Sequence, residues 1–284
     1  MRFHDASLRA LHRIYGDVCL PSRINEYRDL LQCAIDQGYE THSLHSFWSV
    51  AKSDTISASK FLVIRHDVDI SASSARRMWE VEQKLNVLSS YYFRLRTIDI
   101  GLVKEMHFSG FEASYHYEEL SSVAKIKGIT RREQVQQEMP YIRALFTRNL
   151  LELRFKTGLP MRTVAAHGDF VNSKLDLRNT AILEDENLRK EVGVDLEAYD
   201  DAVMRHVVGR YSDATREYPR LWASKHPASG FRIGENVIYL LIHPEGWISN
   251  ARANLVDDFR RLRDEFAYFL AVRKHRYCGM AWRA

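Results

Sequence analysis

Apolar runs of four to six residues alternate along the chain with segments of helical spacing. Residues 22–37 predict an amphipathic helix, with Ile24, Tyr27, Leu30, Leu31 and Ala34 on one face and Gly38 as its stop signal. Phe61, Leu62, Val63 and Ile64 predict a short buried strand. A helix follows over 73–85, with Met78, Trp79 and Val81, and then a second strand over 87–95 centred on Tyr91, Tyr92 and Phe93. A short helix over 101–106 precedes a third strand over 112–115 that ends at His116. Residues 130–155 predict a long helix, and residues 162–166 a fourth apolar strand ending at His167-Gly168-Asp169. Beyond it lie a helical segment over 184–191 and strands over 207–211 and 237–242, the second ending at His243-Pro244. A closing helix over 250–272 carries Leu255, Phe259, Leu262, Phe266 and Phe269.

Strands that alternate with helices imply an α/β architecture with a largely parallel sheet. Neither an internal repeat nor a Pro/Gly-rich linker interrupts the alternation, so one domain over 1–284 is expected. It divides into an N-terminal helical extension over about 1–58 and a barrel over about 59–275. A chain of 284 residues is long enough to bury roughly three-quarters of its unfolded surface.

The net charge of +4 is mild, and no Lys/Arg block dominates, so nucleic acid is not the expected partner. Cys19, Cys33 and Cys278 are odd in number and widely spaced, which argues against a disulfide framework and a cysteine zinc site. No apolar run reaches 18 residues, and residues 1–16 hold His4, Asp5, Arg9, His12 and Arg13 in place of a signal-peptide core. A soluble cytoplasmic protein without a transmembrane segment is expected.

The chemistry gathers where the strands end. Parallel strands deliver their C-terminal ends to one side, where α/β barrels place their active sites. Asp67 and Asp69, at the end of the first strand, point to the same face of an extended chain. Like charges so placed repel unless a cation or proton separates them, which suggests a metal ligand beside a general base. The same residues also suit a turn at Asp67 and a helix cap at Asp69 for a helix starting near Ser71. His116, His167 and His243 each follow a strand as well. Imidazole and carboxylate together suit zinc and neighbouring divalent metals. Pro244 cannot continue a sheet ladder, so it presents His243 at the strand mouth. His66 faces away from the two aspartates and is expected to hydrogen-bond beneath the site, whereas Arg94 is a candidate for substrate contact.

With these motifs the chain resembles the polysaccharide deacetylase superfamily (carbohydrate esterase family 4, NodB-like), in its branch with a His-Asp-Val-Asp signature. It looks most like the WbmS-like proteins of bacterial O-antigen biosynthesis. The resemblance implies a distorted (β/α) barrel of about seven strands. It also implies that Asp67 is the general base, Asp69 a ligand of a divalent metal such as zinc, and His243, in Leu241-Ile242-His243, the general acid. His116 matches one histidine of the second motif, but Leu120 stands where its partner is usual. His167 is the replacement expected, with Glu118 and Glu119 as further possibilities. An Asp with a downstream Trp corresponds to Asp213 and Trp222, and Arg65, Arg94, Asp213 and Trp247 are expected at the substrate. The activity implied is removal of an N-acetyl group from a sugar, held as a nucleotide-linked or lipid-linked precursor, in surface-polysaccharide assembly. Three rivals stand beside it: another C–N hydrolase, a non-catalytic carbohydrate-binding homologue with a degraded metal site, and an unrelated α/β barrel such as a phosphosugar isomerase.

Overall fold

The computed structural model describes residue 15 and residues 20–52, 59–213, 222–223 and 225–281, with side chains through residue 273. The rest of the expected N-terminal extension lies outside the described residues. Eight strands occur among them: β1 (Tyr39–His42), β2 (Lys60–Val68), β3 (Ser90–Phe93), β4 (Glu112–Tyr117), β5 (Thr163–Ala166), β6 (Leu196–Glu197), β7 (Gly209–Ser212) and β8 (Val237–Ile242). Contacts divide the chain into two units, residues 1–114 with 198–255, and residues 115–197 with 256–284.

In the first unit β2 is the axis. Its residues Lys60–Val63 pair with β1, Arg65–Val68 pair with β3, and Phe61–His66 pair with β8, which in turn pairs with β7. Every pairing is parallel, as the alternation of strands and helices predicts. Residues 61–68 are all buried, which a parallel strand covered on both faces requires. The core joins Leu62, Ile64, Ile238, Leu240 and Ile242 to Tyr27, Leu30 and Leu31 of the helix Ile24–Asp36. Because β2 is nine residues long, where four were expected, Arg65, His66 and Asp67 lie inside the sheet. Conversely, the expected strand over 87–95 shrinks to β3.

These lengths settle the alternative reading of Asp67 and Asp69. Asp67 sits in the strand and starts no turn. The helix Ala72–Leu85 is capped by Ser71, whose Oγ accepts from Ser74 N at 3.4 Å. Asn86, at φ 53°, ends that helix in the left-handed conformation.

In the second unit β4, from Tyr115 onward, pairs with β5, and β5 pairs with β6, again in parallel. His116 is within β4, which runs on to Tyr117. The helix Glu119–Lys127 ends at Gly128, and the helix Arg132–Thr157 follows. The long helix Ala251–Ala281 enters this unit at Val256. Tyr268 donates its hydroxyl to the Ile129 carbonyl at 2.8 Å. At Gly128, φ is +61°, and a Cβ there would lie 2.6 Å from the Ala271 carbonyl carbon, so only glycine allows this approach. Among the described residues no helix is long and apolar enough to cross a membrane.

Candidate active site

The C-terminal ends of β2 and β8, paired directly in the first unit, bring acid and base groups together. Arg65 has no exposure, and its guanidinium grips Asp67 with both forks, Nε to Oδ1 at 2.7 Å and Nη2 to Oδ2 at 2.8 Å. A buried charge needs such a partner. The guanidinium also lies 4.5 Å from the centre of the Tyr199 ring and 5.6 Å from that of Tyr92. Burial alone would lower the Arg65 pKa, but the Asp67 charge carries it well above its ordinary value. Arg65 therefore orients Asp67 from inside the protein.

His243, just past β8, donates its backbone N–H to Asp213 Oδ2 at 2.9 Å, and its Nδ1 lies 2.7 Å from Asp213 Oδ1. Trp247 Nε1 donates to the same Oδ2 at 2.8 Å. Asp213 thus holds ring, backbone and indole at once, and with Nδ1 engaged, Nε2 is the nitrogen left to exchange a proton. Burial by itself would depress the imidazolium. Asp213, by charge and hydrogen bond, outweighs it and raises the His243 pKa well above the usual value, with Asp69 and Asp67 adding to the effect. The tryptophan bonded to Asp213 is Trp247, and Trp222 packs against the Trp247 ring at 5.6 Å between centres. Arg94 is buried just after β3, where its backbone carbonyl accepts from Thr97 N and Ile98 N at 3.0 Å.

Beneath these groups lies a buried network that sequence reasoning foresaw only for His66. Glu82 accepts from His66 Nε2 at 2.7 Å, from Ser89 Oγ and Tyr91 OH at 2.7 Å each, and from Tyr27 OH. Glu245 was missed as well. Its Oε2 is buried with no hydrogen-bond partner among the described residues. Burial, then the charge of Asp69, holds its carboxyl well above the usual range. The only sequence signal for it is its place two residues after His243.

In the second unit, His116 and His167 offer ring nitrogens within 4.8 Å of each other, and their rings meet edge-on with centres 5.2 Å apart. His116 Nδ1 lies 2.9 Å from the Ala165 carbonyl oxygen. Occupying one nitrogen in this way fixes the tautomer and leaves the other for a metal, the usual arrangement for a ligating histidine. Glu118, His167 and Asp169 also cluster within 4.8 Å. Asp169, however, is held by Lys125 at 2.6 Å and caps the helix Phe170–Leu175. Glu119 is a structural residue. It is buried, and it accepts from Tyr115 OH and from Asn149 Nδ2, the latter at 2.8 Å.

No protein-family description matches the sequence, and no curated protein sequence matches it. Among solved structures the chain is similar to BA3943, a CE4 family pseudoenzyme from Bacillus anthracis, at 12% identity and a TM-score of 0.42, over 73% of this chain and 62% of that one. It thus spans less than two thirds of the length of BA3943. A mutant of BA3943 with restored enzymatic activity is similar at 12% identity and a TM-score of 0.42, over 73% of this chain and 64% of that one. IcaB from Ammonifex degensii is similar at 14% identity and a TM-score of 0.45, over 63% of this chain and 79% of that one.

Proposed function

We propose that the chain is a metal-dependent hydrolase that removes an N-acetyl group from a sugar. The observation that carries this reading is the Asp213–His243 pair in one unit with Asp67 and Asp69, near enough for all three carboxylates to raise the imidazole pKa. A charged imidazole beside a fixed carboxylate is the equipment for breaking an amide, whose nitrogen leaves only when protonated. In this reading Asp67, oriented by Arg65, takes a proton from the attacking water. The water oxygen bonds to the acyl carbon, the C–N bond breaks, and His243 protonates the departing amine. The products are acetate and an amino sugar.

Asp69, His116 and His167 are the proposed ligands of a divalent ion, zinc by the donor set of one carboxylate and two imidazoles. The tautomer of His116 and the close His116–His167 approach fit that role. Such an ion supplies Lewis acidity to water and to the acyl oxygen when bound. Arg94 and Trp247 are proposed to line the sugar position. The substrate class is a nucleotide-linked or lipid-linked N-acetylated precursor of a surface polysaccharide such as O-antigen, processed in the cytoplasm, as in the WbmS-like branch.

The test is release of acetate and free amine from nucleotide-linked and oligomeric N-acetylhexosamines by zinc-loaded protein. Turnover that is lost in Asp67→Asn and in His243→Ala supports the reading. Zinc-loaded protein that binds these sugars and releases no acetate overturns it in favour of a non-catalytic carbohydrate-binding role, which the leucine at position 120 favours.

A further inference from the structure

The helix Ala251–Ala281 carries its apolar stripe on the side away from its docked face. Tyr268 and Ala271 face Ile129 and Gly128. At 100° per residue, the stripe formed by Leu255, Phe259, Leu262, Phe266 and Phe269 points to the opposite side of the helix. Phe259 is 71% exposed, Leu262 and Phe266 63%, Phe269 52% and Leu255 39%. Scattered exposed apolar residues need no explanation, but a contiguous stripe of this kind marks an interaction surface.

From this stripe we infer that the helix pairs in parallel with the same helix of a second copy of this chain. Its spacing of four, three, four and three is a heptad seam, with Phe259 and Phe266 at a and Leu255, Leu262 and Phe269 at d. The flanking charges choose the partner and its direction. Asp258 and Glu265 take g positions, and Arg263 takes an e position. A parallel pairing sets Asp258 beside Arg263 of the second copy, whereas an antiparallel one sets Asp258 beside Glu265. The exposed Arg263 at present pairs with its half-buried neighbour Asp264, and a surface pair of this sort is readily exchanged. An anionic bilayer would require a cationic polar face. The helix Ala251–Ala281 holds Arg252, Arg260, Arg261, Arg263, Arg273, Lys274 and Arg276 against Asp257, Asp258, Asp264 and Glu265, so the g–e pairing is what favours a second copy, and vesicles are the rival that the test includes.

Five side chains, each covering roughly 100 Å² of fresh surface, give roughly 1,000 Å² over both copies. That is the lower bound of a specific interface, so the dimer should be weak and concentration-dependent.

Sedimentation velocity of the full chain from low micromolar to several hundred micromolar tests this inference. A monomer–dimer equilibrium in that range is expected, abolished in Phe259→Ser/Phe266→Ser with an unchanged circular dichroism spectrum. Asp258→Arg should weaken the dimer, and adding Arg263→Asp should restore it. Should the serine variant fail to fold, Leu262→Cys gives an independent readout. Parallel d positions meet across the seam, so oxidation should cross-link this variant well above the unmodified chain. A monomer at every concentration overturns the inference, as does a dimer that persists in the folded serine variant or a Leu262→Cys chain that does not cross-link. Flotation of the monomer with anionic vesicles, lost in the serine variant, would overturn it in favour of a bilayer.

Discussion

His66 Nε2 lies 2.7 Å from Glu82 Oε1, and neither side chain has any exposure to solvent. With Tyr27, Ser89 and Tyr91, every hydrogen-bonding direction of the Glu82 carboxylate is used. Glu82→Ala strips the acceptor from four buried donors, and we expect it to cost about 3–5 kcal/mol, the range for breaking one side of a buried pair. Glu82→Gln keeps the shape but loses the charge, and should cost less. Urea denaturation checks both, and an unaffected midpoint in Glu82→Ala would mean the network carries no stability.

Asp213→Asn should move a titration. His243 is raised in the folded protein, so its contribution to stability is fully present below the unfolded value of about 6.5 and is lost as pH rises through the folded value. General-acid activity follows the same charged form and falls over the same rise. Removing the Asp213 charge should shift both losses to lower pH. NMR titration of the His243 ring reads this without a substrate, and an unchanged midpoint would contradict the assigned role of Asp213.

Arg65 is expected to be intolerant of change. Arg65→Ala leaves Asp67 charged and buried, at a cost of about 3–5 kcal/mol. Arg65→Lys keeps the charge but not the two-pronged grip, so it should fold with reduced turnover. Thermal melts and acetate release together separate these outcomes. Full activity in Arg65→Lys would show that the orientation of Asp67 is not critical.

Metal titration distinguishes the proposed ligands from the base. Asp69→Ala and His167→Ala should each weaken zinc binding more than about tenfold, since even outer-shell partners contribute that much. Asp67→Asn should leave binding intact. Calorimetry with zinc measures all three, and equal loss in Asp67→Asn would make Asp67 a ligand.

Legibility in the sequence followed physical signal strength. β8 appears with the expected bounds because six apolar residues are closed by His243-Pro244. β1 and β6 went unseen, since Tyr39-Glu40-Thr41-His42 has one fully buried residue and β6 has two residues in all. Asp213 is singled out by the resemblance alone, and its bonds to His243 and Trp247 depend on a turn no local pattern encodes. Nothing in the local sequence marks Glu82 as buried, and only the packing of Tyr27 and Tyr91 around it reveals the network. In the closing helix periodicity identified the element correctly, yet its most regular apolar face is the one left exposed.

Gly128 has a mechanical consequence for that helix. Any larger residue must take an unfavourable backbone conformation and also push Ala271 back by several tenths of an ångström. Ala271 is about 18 Å along the helix axis from Phe259. A push applied at one end of that span tilts the helix like a lever and strains the Tyr268 hydroxyl on Ile129. Position 128 thus works as a set-screw: the atom it lacks fixes the angle at which the apolar seam faces outward.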